Sequence, residues 1–300
     1  MFSGSLVAIV TPMHPDGTID WPAWERLLAL HLAAGTSGIV VGGTTGESAT
    51  LTEGELLALL ERARARLRGR AALIAGTGTS STASSVARAR AVSAAGVDAL
   101  LVVTPAYNRP TQEGLFQHFQ AVAAASSVPI VPYNVPSRTA VDLLPATVAR
   151  LAKLPRVVAV KEALTSMERF RELVALTPGS FSVLTGDDAS AAAAMAHGAR
   201  GVISVTANVV PKAMVELTAA ALRGDHEAAL RRDEPLRALH EALFVETNPI
   251  PVKWLLGQRG LIQSGLRLPM TELSEPFRAR VLAALESAER PEALAQAKSA

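Results

Sequence analysis

Val157-Val158-Ala159-Val160-Lys161-Glu162 is an apolar run that ends in an amine. Uncharged, β-rich residues in such a run predict a buried strand, with Lys161 at its C-terminal end. Apolar neighbours withhold solvation from an ammonium group, so the pKa of Lys161 should fall. A neutral amine can attack a carbonyl and form a Schiff base. A lysine that merely ends a strand on the surface fits the same six residues. The choice turns on what the other strand ends carry.

Three further segments carry polar chemistry directly after apolar runs. Gly42-Gly43-Thr44-Thr45-Gly46-Glu47 lets backbone N–H groups approach a ligand and adds two hydroxyls. It lacks the Gly-Lys-Ser/Thr ending of a nucleotide phosphate loop, so a carboxylate is the expected anion. Thr104-Pro105-Ala106-Tyr107-Asn108-Arg109-Pro110 and Tyr133-Asn134-Val135-Pro136-Ser137-Arg138-Thr139 hold the chain's two tyrosines, both at strand ends. A phenol can relay protons, and Arg138 offers a planar fork for a carboxylate. Gly186-Asp187-Asp188 could in principle bind a metal, but carboxylates at a helix start are expected to be caps. The six histidines show no ligand pairing, so no zinc site is expected.

These segments need a scaffold that brings strand ends together. Short apolar runs recur at 6–10, 38–41, 72–75, 99–103, 129–133, 157–161, 181–184 and 201–205. The interval of roughly 20 to 35 residues is what a strand, a helix and two loops need. Helical patterns fill the gaps. Thr52-Glu53-Gly54-Glu55 and Thr165-Ser166-Met167-Glu168 read as capping boxes, and Pro145 and Pro211 suit first helical turns. Eight such units predict a (β/α)8 TIM barrel, an α/β fold whose chemistry sits at the C-terminal strand ends. An open doubly wound sheet competes, but its glycine fingerprint is missing, since Gly76-Thr77-Gly78 lacks the third glycine. The expected organisation is a catalytic barrel over 1–224 and a C-terminal helical region over 225–300. The latter should carry helices near 225–243, 250–259 and 275–289.

Composition narrows the function. The chain has 300 residues, 49% of them hydrophobic, which is ample for a large core. A net charge of +2 and 4% aromatic residues give little basis for binding nucleic acid. The high pI of 9.2 reflects a small excess of Lys and Arg, not a basic tract. Arg62, Arg64, Arg66, Arg68 and Arg70 read as the solvated end of a helix and the turn after it. Without cysteine there can be no disulfide or thiolate metal site. No signal or membrane span is evident, so a cytoplasmic location is expected.

Taken together, the Gly42–47 loop, Tyr107-Asn108-Arg109-Pro110, Tyr133-Asn134-Val135-Pro136-Ser137-Arg138-Thr139 and Val160-Lys161-Glu162 resemble the dihydrodipicolinate synthase family. That family lies within the N-acetylneuraminate lyase superfamily. Asn248-Pro249-Ile250-Pro251-Val252-Lys253 and Leu268-Pro269-Met270 fit it too. The resemblance implies a class I aldol condensation of pyruvate with L-aspartate 4-semialdehyde, without a cofactor, in lysine and diaminopimelate biosynthesis. By that resemblance Lys161 forms the imine, Tyr133 donates and accepts protons, and Thr44 and Tyr107 complete a proton relay. Tyr107 would be lent by a neighbouring subunit. Thr45 and the backbone of Ile203 would hold the pyruvate carboxylate, Arg138 would bind the semialdehyde carboxylate, and Gly186 would line the pocket.

A homodimer or homotetramer is implied, with the dimer–dimer contact open because His197 stands where tetrameric members are usually apolar. The residues that hold lysine in feedback-inhibited members are replaced here by Glu53, Leu56, Ser80, Ser84 and Ala106, so inhibition by lysine should be weak or absent. Two other readings use the same lysine or dispense with it. One is another Schiff-base lyase, such as N-acetylneuraminate lyase or a 2-keto-3-deoxy sugar-acid aldolase, in which Arg138 in this motif would not be expected. The other is a silent barrel that binds a keto acid, which loss of Lys161 or Tyr133 would mark.

Overall fold

The computed structural model describes residues 2–290. Eight parallel strands run in sequence order around a closed barrel: β1 (Gly4–Ala8), β2 (Gly38–Val41), β3 (Ala72–Gly76), β4 (Ala99–Val103), β5 (Ile130–Asn134), β6 (Ala159–Glu162), β7 (Ser182–Thr185) and β8 (Gly201–Ser204). β1 closes the ring by pairing with β8, Leu6 opposite Ile203. Both faces of each strand are covered, which explains why the runs are continuously apolar and not alternating. Leu6, Val40, Ile74, Leu101, Val131, Leu184 and Ile203 fill the barrel. Val7, Ile39, Leu73, Leu100, Ile130, Val160 and Val202 pack outward against the helices.

The first helices are α1 (Trp21–Ala34), α2 (Glu53–Leu67), α3 (Thr82–Ser93), α4 (Gln112–Ala125), α5 (Pro136–Thr139), α6 (Pro145–Leu151), α7 (Met167–Leu176), α8 (Ala191–Ala196) and α9 (Pro211–Leu222). The C-terminal region adds α10 (His226–Asp233), α11 (Arg237–Ala242), α12 (Ile250–Gln258) and α13 (Glu275–Glu289). The stretch expected as one helix over 225–243 is therefore two, joined by a 3-10 turn at Glu234–Leu236 that contains Pro235. A proline inside a helix removes a donor and breaks it. The 224/225 boundary falls in the turn between α9 and α10, yet Leu239, Leu255 and Val281 belong to the same apolar cluster as the barrel's outer face.

The expected capping box forms at α2 and shifts by one residue at α7. At α2 the box closes as expected: Glu55 N–H donates to Thr52 Oγ1 at 3.2 Å, and Thr52 N–H donates to Glu55 Oε2 at 2.9 Å. At α7 the cap is Ser166 and not Thr165, so Arg169 takes the third position instead of Glu168. The shift frees Arg169 for a stronger bond. Its Nε donates to buried Glu162 at 2.6 Å, while Nη2 donates to Asp142 at 2.7 Å and to Leu143 O at 2.7 Å. A charge-assisted pair in a desolvated setting outweighs an exposed box.

Candidate active site

The register of the barrel puts Tyr133 directly opposite Lys161 on adjacent strands, near the C-terminal ends of β5 and β6. The Lys161 amine stands 4.2 Å from the centroid of the Tyr133 ring. Both residues are buried. Burial pulls the Lys161 pKa down to about 7, with nearby Asp188 opposing the fall and the Arg138 charge adding to it. No salt bridge forms to Lys161 among the described residues. Near neutral pH a large share of the amine is therefore unprotonated, as nucleophilic attack requires. Burial pushes the Tyr133 phenol up to about 12, against the Arg138 charge and a hydrogen bond with Thr44. The phenol stays protonated and can donate.

What lies behind Lys161 fixes it. The next residue, Glu162, points to the outer layer, where its carboxylate accepts from Arg169, from Asn134 Nδ2 at 3.1 Å and from Leu164 N–H at 2.8 Å. Burial raises the Glu162 pKa, and the Arg169 charge opposes it. This network locks the ends of β5 and β6 together. Gly186, at the end of β7, packs on the lysine itself. A Cβ there would lie 2.7 Å from Lys161 Cε and 3.3 Å from Lys161 Cγ. The contact is with a flexible side chain, so Gly186→Ala should fold with a melting temperature close to that of the parent. It should nevertheless push the amine out of line and lower kcat by about 100-fold, the scale of a 1 Å misplacement. Steady-state rates beside thermal melts check this.

The Gly-rich loop after β2 crosses the same rim. Its turn is closed by Glu47 N–H to Thr44 O at 3.1 Å and by Thr11 Oγ1 to Gly46 O at 2.8 Å. Thr45 is buried, and its hydroxyl accepts from Asn248 Nδ2 at 2.9 Å. Glu47 is buried in the left-handed region, φ 58°, and forms an ion pair with buried Lys253. Its other oxygen accepts from Arg267 N–H at 3.2 Å. Thr44 and Tyr133 line a cleft of about 420 Å³ that runs on past Thr77, Ser80, Arg88 and Ala106. Lys161 does not line this cleft, but the Tyr133 ring beside its amine does.

The remaining site residues fall as follows. Arg138, on the short α5, is exposed, and its Nη2 donates to Asn248 O at 3.3 Å. Ile203 is buried inside the barrel. Asp187 closes a turn by accepting from Ser190 N–H at 2.9 Å. Asp188 departs from the expected cap. Its Oδ2 accepts from Val205 N–H at 2.8 Å and Thr206 N–H at 2.9 Å, which ties the β7 loop to the end of β8. Tyr107 departs too. Its backbone is left-handed, φ 74°, and the residue is 94% exposed, so within one chain it does not converge on Lys161.

The sequence profile of the Dihydrodipicolinate synthetase family matches residues 1–288. The chain belongs to that family. The 4-hydroxy-tetrahydrodipicolinate synthase of Pseudomonas aeruginosa is 49% identical over 282 residues, covering 93% of this chain and 97% of that protein. Among solved structures, the chloride-inhibited dihydrodipicolinate synthase from Acinetobacter baumannii complexed with pyruvate superposes with a TM-score of 0.94. It is 45% identical, and the match covers 96% of this chain and 99% of that one. A structure described as the first monomeric dihydrodipicolinate synthase variant superposes with a TM-score of 0.93 at 41% identity, covering 96% of this chain and 97% of that one. Membership of the dihydrodipicolinate synthetase family thus covers the barrel and most of the helical region. Three polar residues behind the rim, Asn248, Lys253 and Arg267, had no assigned role from sequence, because each meets its partner about 200 residues away along the chain.

Proposed function

We propose that this chain is a lyase that condenses pyruvate with L-aspartate 4-semialdehyde to give 4-hydroxy-tetrahydrodipicolinate, in lysine and diaminopimelate biosynthesis. The observation that carries the reading is the buried Lys161 amine, its pKa lowered to about 7, set against the Tyr133 ring. Lys161 Nζ attacks the pyruvate ketone, and the carbinolamine loses water to form a protonated imine. That imine is an electron sink, so the methyl group gives up a proton and becomes an enamine carbon. The enamine attacks the aldehyde, whose oxygen takes a proton. The substrate's own amine then attacks the imine carbon, closes the ring and releases Lys161. Tyr133 is the proton donor and acceptor, with Thr44 beside it. Thr45 and the Ile203 backbone hold the pyruvate carboxylate, Arg138 binds the carboxylate of the aldehyde, and Gly186 shapes the pocket. No cofactor takes part.

The barrel, assigned to 1–224, supplies the chemistry, and the described helices of the C-terminal region brace it; the last ten residues of the expected 225–300 region lie outside the described residues. An exposed Tyr107 on a left-handed backbone suits donation to a neighbouring copy, so the working form is a homodimer or homotetramer. No helix among the described residues is long and apolar enough to cross a membrane. A cytoplasmic location belongs to this reading. Assays of pyruvate with aspartate semialdehyde, run beside cleavage of N-acetylneuraminate, test it. Turnover of the first pair is expected. Turnover of the sialic acid alone would replace this reading with that of another Schiff-base lyase.

Two expected outcomes follow from the same residues. The Lys161 pKa is lowered in the fold, so the reactive neutral fraction grows as pH rises and levels off above about 7. Below that point imine formation should slow roughly tenfold per pH unit. Single-turnover trapping across about pH 5 to 9 reads this out, and a rate still climbing about tenfold per unit through pH 9 would contradict it. The cleft beyond Tyr133 presents Ser80 and Ala106, which provide neither a carboxylate nor an aromatic wall for an amino-acid ligand. Titration with L-lysine should leave the rate nearly unchanged at sub-millimolar concentrations.

A further inference from the structure

Asn248 joins the two carboxylate-binding elements of the rim. Its side chain reaches the loop after β2, where Nδ2 donates to Thr45 Oγ1 at 2.9 Å. Its backbone carbonyl accepts from Arg138 Nη2 at 3.3 Å. The residue is 4% exposed and sits immediately before Pro249, the cap of α12. One turn into α12, Lys253 forms the ion pair with Glu47, two residues beyond Thr45. The start of α12 is thus docked at two points onto one loop, which fixes where the Asn248 amide can reach.

A hydroxyl has one proton to give and two lone pairs that accept. The Asn248 amide occupies a lone pair of Thr45, so the Thr45 proton must point elsewhere. Among the described residues no acceptor takes that proton. Thr45 is itself only 2% exposed, so an idle O–H there is costly unless a ligand uses it. A carboxylate oxygen would accept it in a charge-assisted bond. We propose that Asn248 is a positioning residue for pyruvate, whose side-chain amide turns the Thr45 hydroxyl into an oriented donor for the substrate carboxylate. This rests on the proposed role of Thr45 in holding that carboxylate.

The geometry separates side chain from backbone. A substitution at 248 alters the bond to Thr45, while the carbonyl that holds Arg138 remains. Asn248→Asp is the sharp variant. Its carboxylate would accept the Thr45 proton, reverse the bond and repel the substrate anion. Its KM for pyruvate should rise about tenfold or more, the scale of a hydrogen bond to a charged group. Its KM for the aldehyde should stay within about twofold by the same scale. Asn248→Ala removes the donor without adding charge, so it should show the same split to a smaller degree. It serves as the second variant if the aspartate prevents folding, with thermal melts run on both.

Borohydride trapping at increasing pyruvate gives an independent reading of pyruvate binding. Failure of the parent protein to trap pyruvate would sink the proposed reaction itself. Normal trapping by the parent, with half-saturation in both variants matching it, would overturn the role of Asn248 alone. An equal rise in KM for both substrates would also overturn it, because a general loosening of the rim does not distinguish pyruvate from the aldehyde.

Discussion

Lys161→Met is expected to lower kcat about 1000-fold while leaving the melting temperature unchanged or slightly raised. The thioether side chain is close in size to the lysine but cannot form an imine. A loss of that scale corresponds to about 4 kcal/mol of transition-state stabilisation. Stability should survive because the fold gains little from this amine. Lys161 is buried beside Tyr133, Leu184 and Gly186 without a salt bridge among the described residues, and burial disfavours its charged form. An apolar group of similar volume removes that penalty. A rate within about tenfold of the parent would contradict the covalent mechanism, because the other buried lysine with a lowered pKa, Lys253, is held in an ion pair with Glu47.

Lys253→Met should do the reverse. Lys253 is as buried as Lys161, but it faces Glu47 in an ion pair. Burial pulls its pKa below the ordinary lysine value, and the Glu47 carboxylate opposes the fall. Removing the cation leaves Glu47 in the interior with, among the described residues, only the Arg267 amide as partner. Breaking a buried pair in this way costs about 3–5 kcal/mol. For a chain of this size the melting temperature should drop by roughly 5–10 °C. The paired change Glu47→Gln with Lys253→Met should regain much of the loss, since replacing both partners leaves no bare charge. Differential scanning calorimetry on the three variants measures this. An unchanged melting temperature for Lys253→Met would show that the pair is not a brace. The two lysines share a residue type and a degree of burial, and only the partner separates catalysis from support.

That contrast separates what local sequence encodes from what only the folded chain brings together. Lys161, Tyr133 and the Thr44–Thr45 pair were legible because each follows an apolar run. The βα rhythm then places all such ends on one rim. The strand positions all agree to within two residues; at β6 the expected first residue, Val157, makes only an isolated bridge to Ile130. Lys253 and Asn248 were not legible. Each acts on a loop more than 200 residues earlier, and no local pattern encodes that meeting. Arg169 was missed for a related reason. The Thr165 box is a sound local signal, but the buried Glu162 and half-buried Asp142 carboxylates draw the arginine and move the cap by one residue. Tyr107 has the right residue type at the right strand end, and its exposure follows from backbone geometry that the sequence does not display.

The most direct measurement is to incubate the protein with pyruvate and borohydride, digest it and weigh its peptides. One reduced pyruvate adduct is expected, carried on the peptide that contains Lys161 and absent from Lys161→Met. An adduct on another lysine, or none on the parent protein, would contradict it.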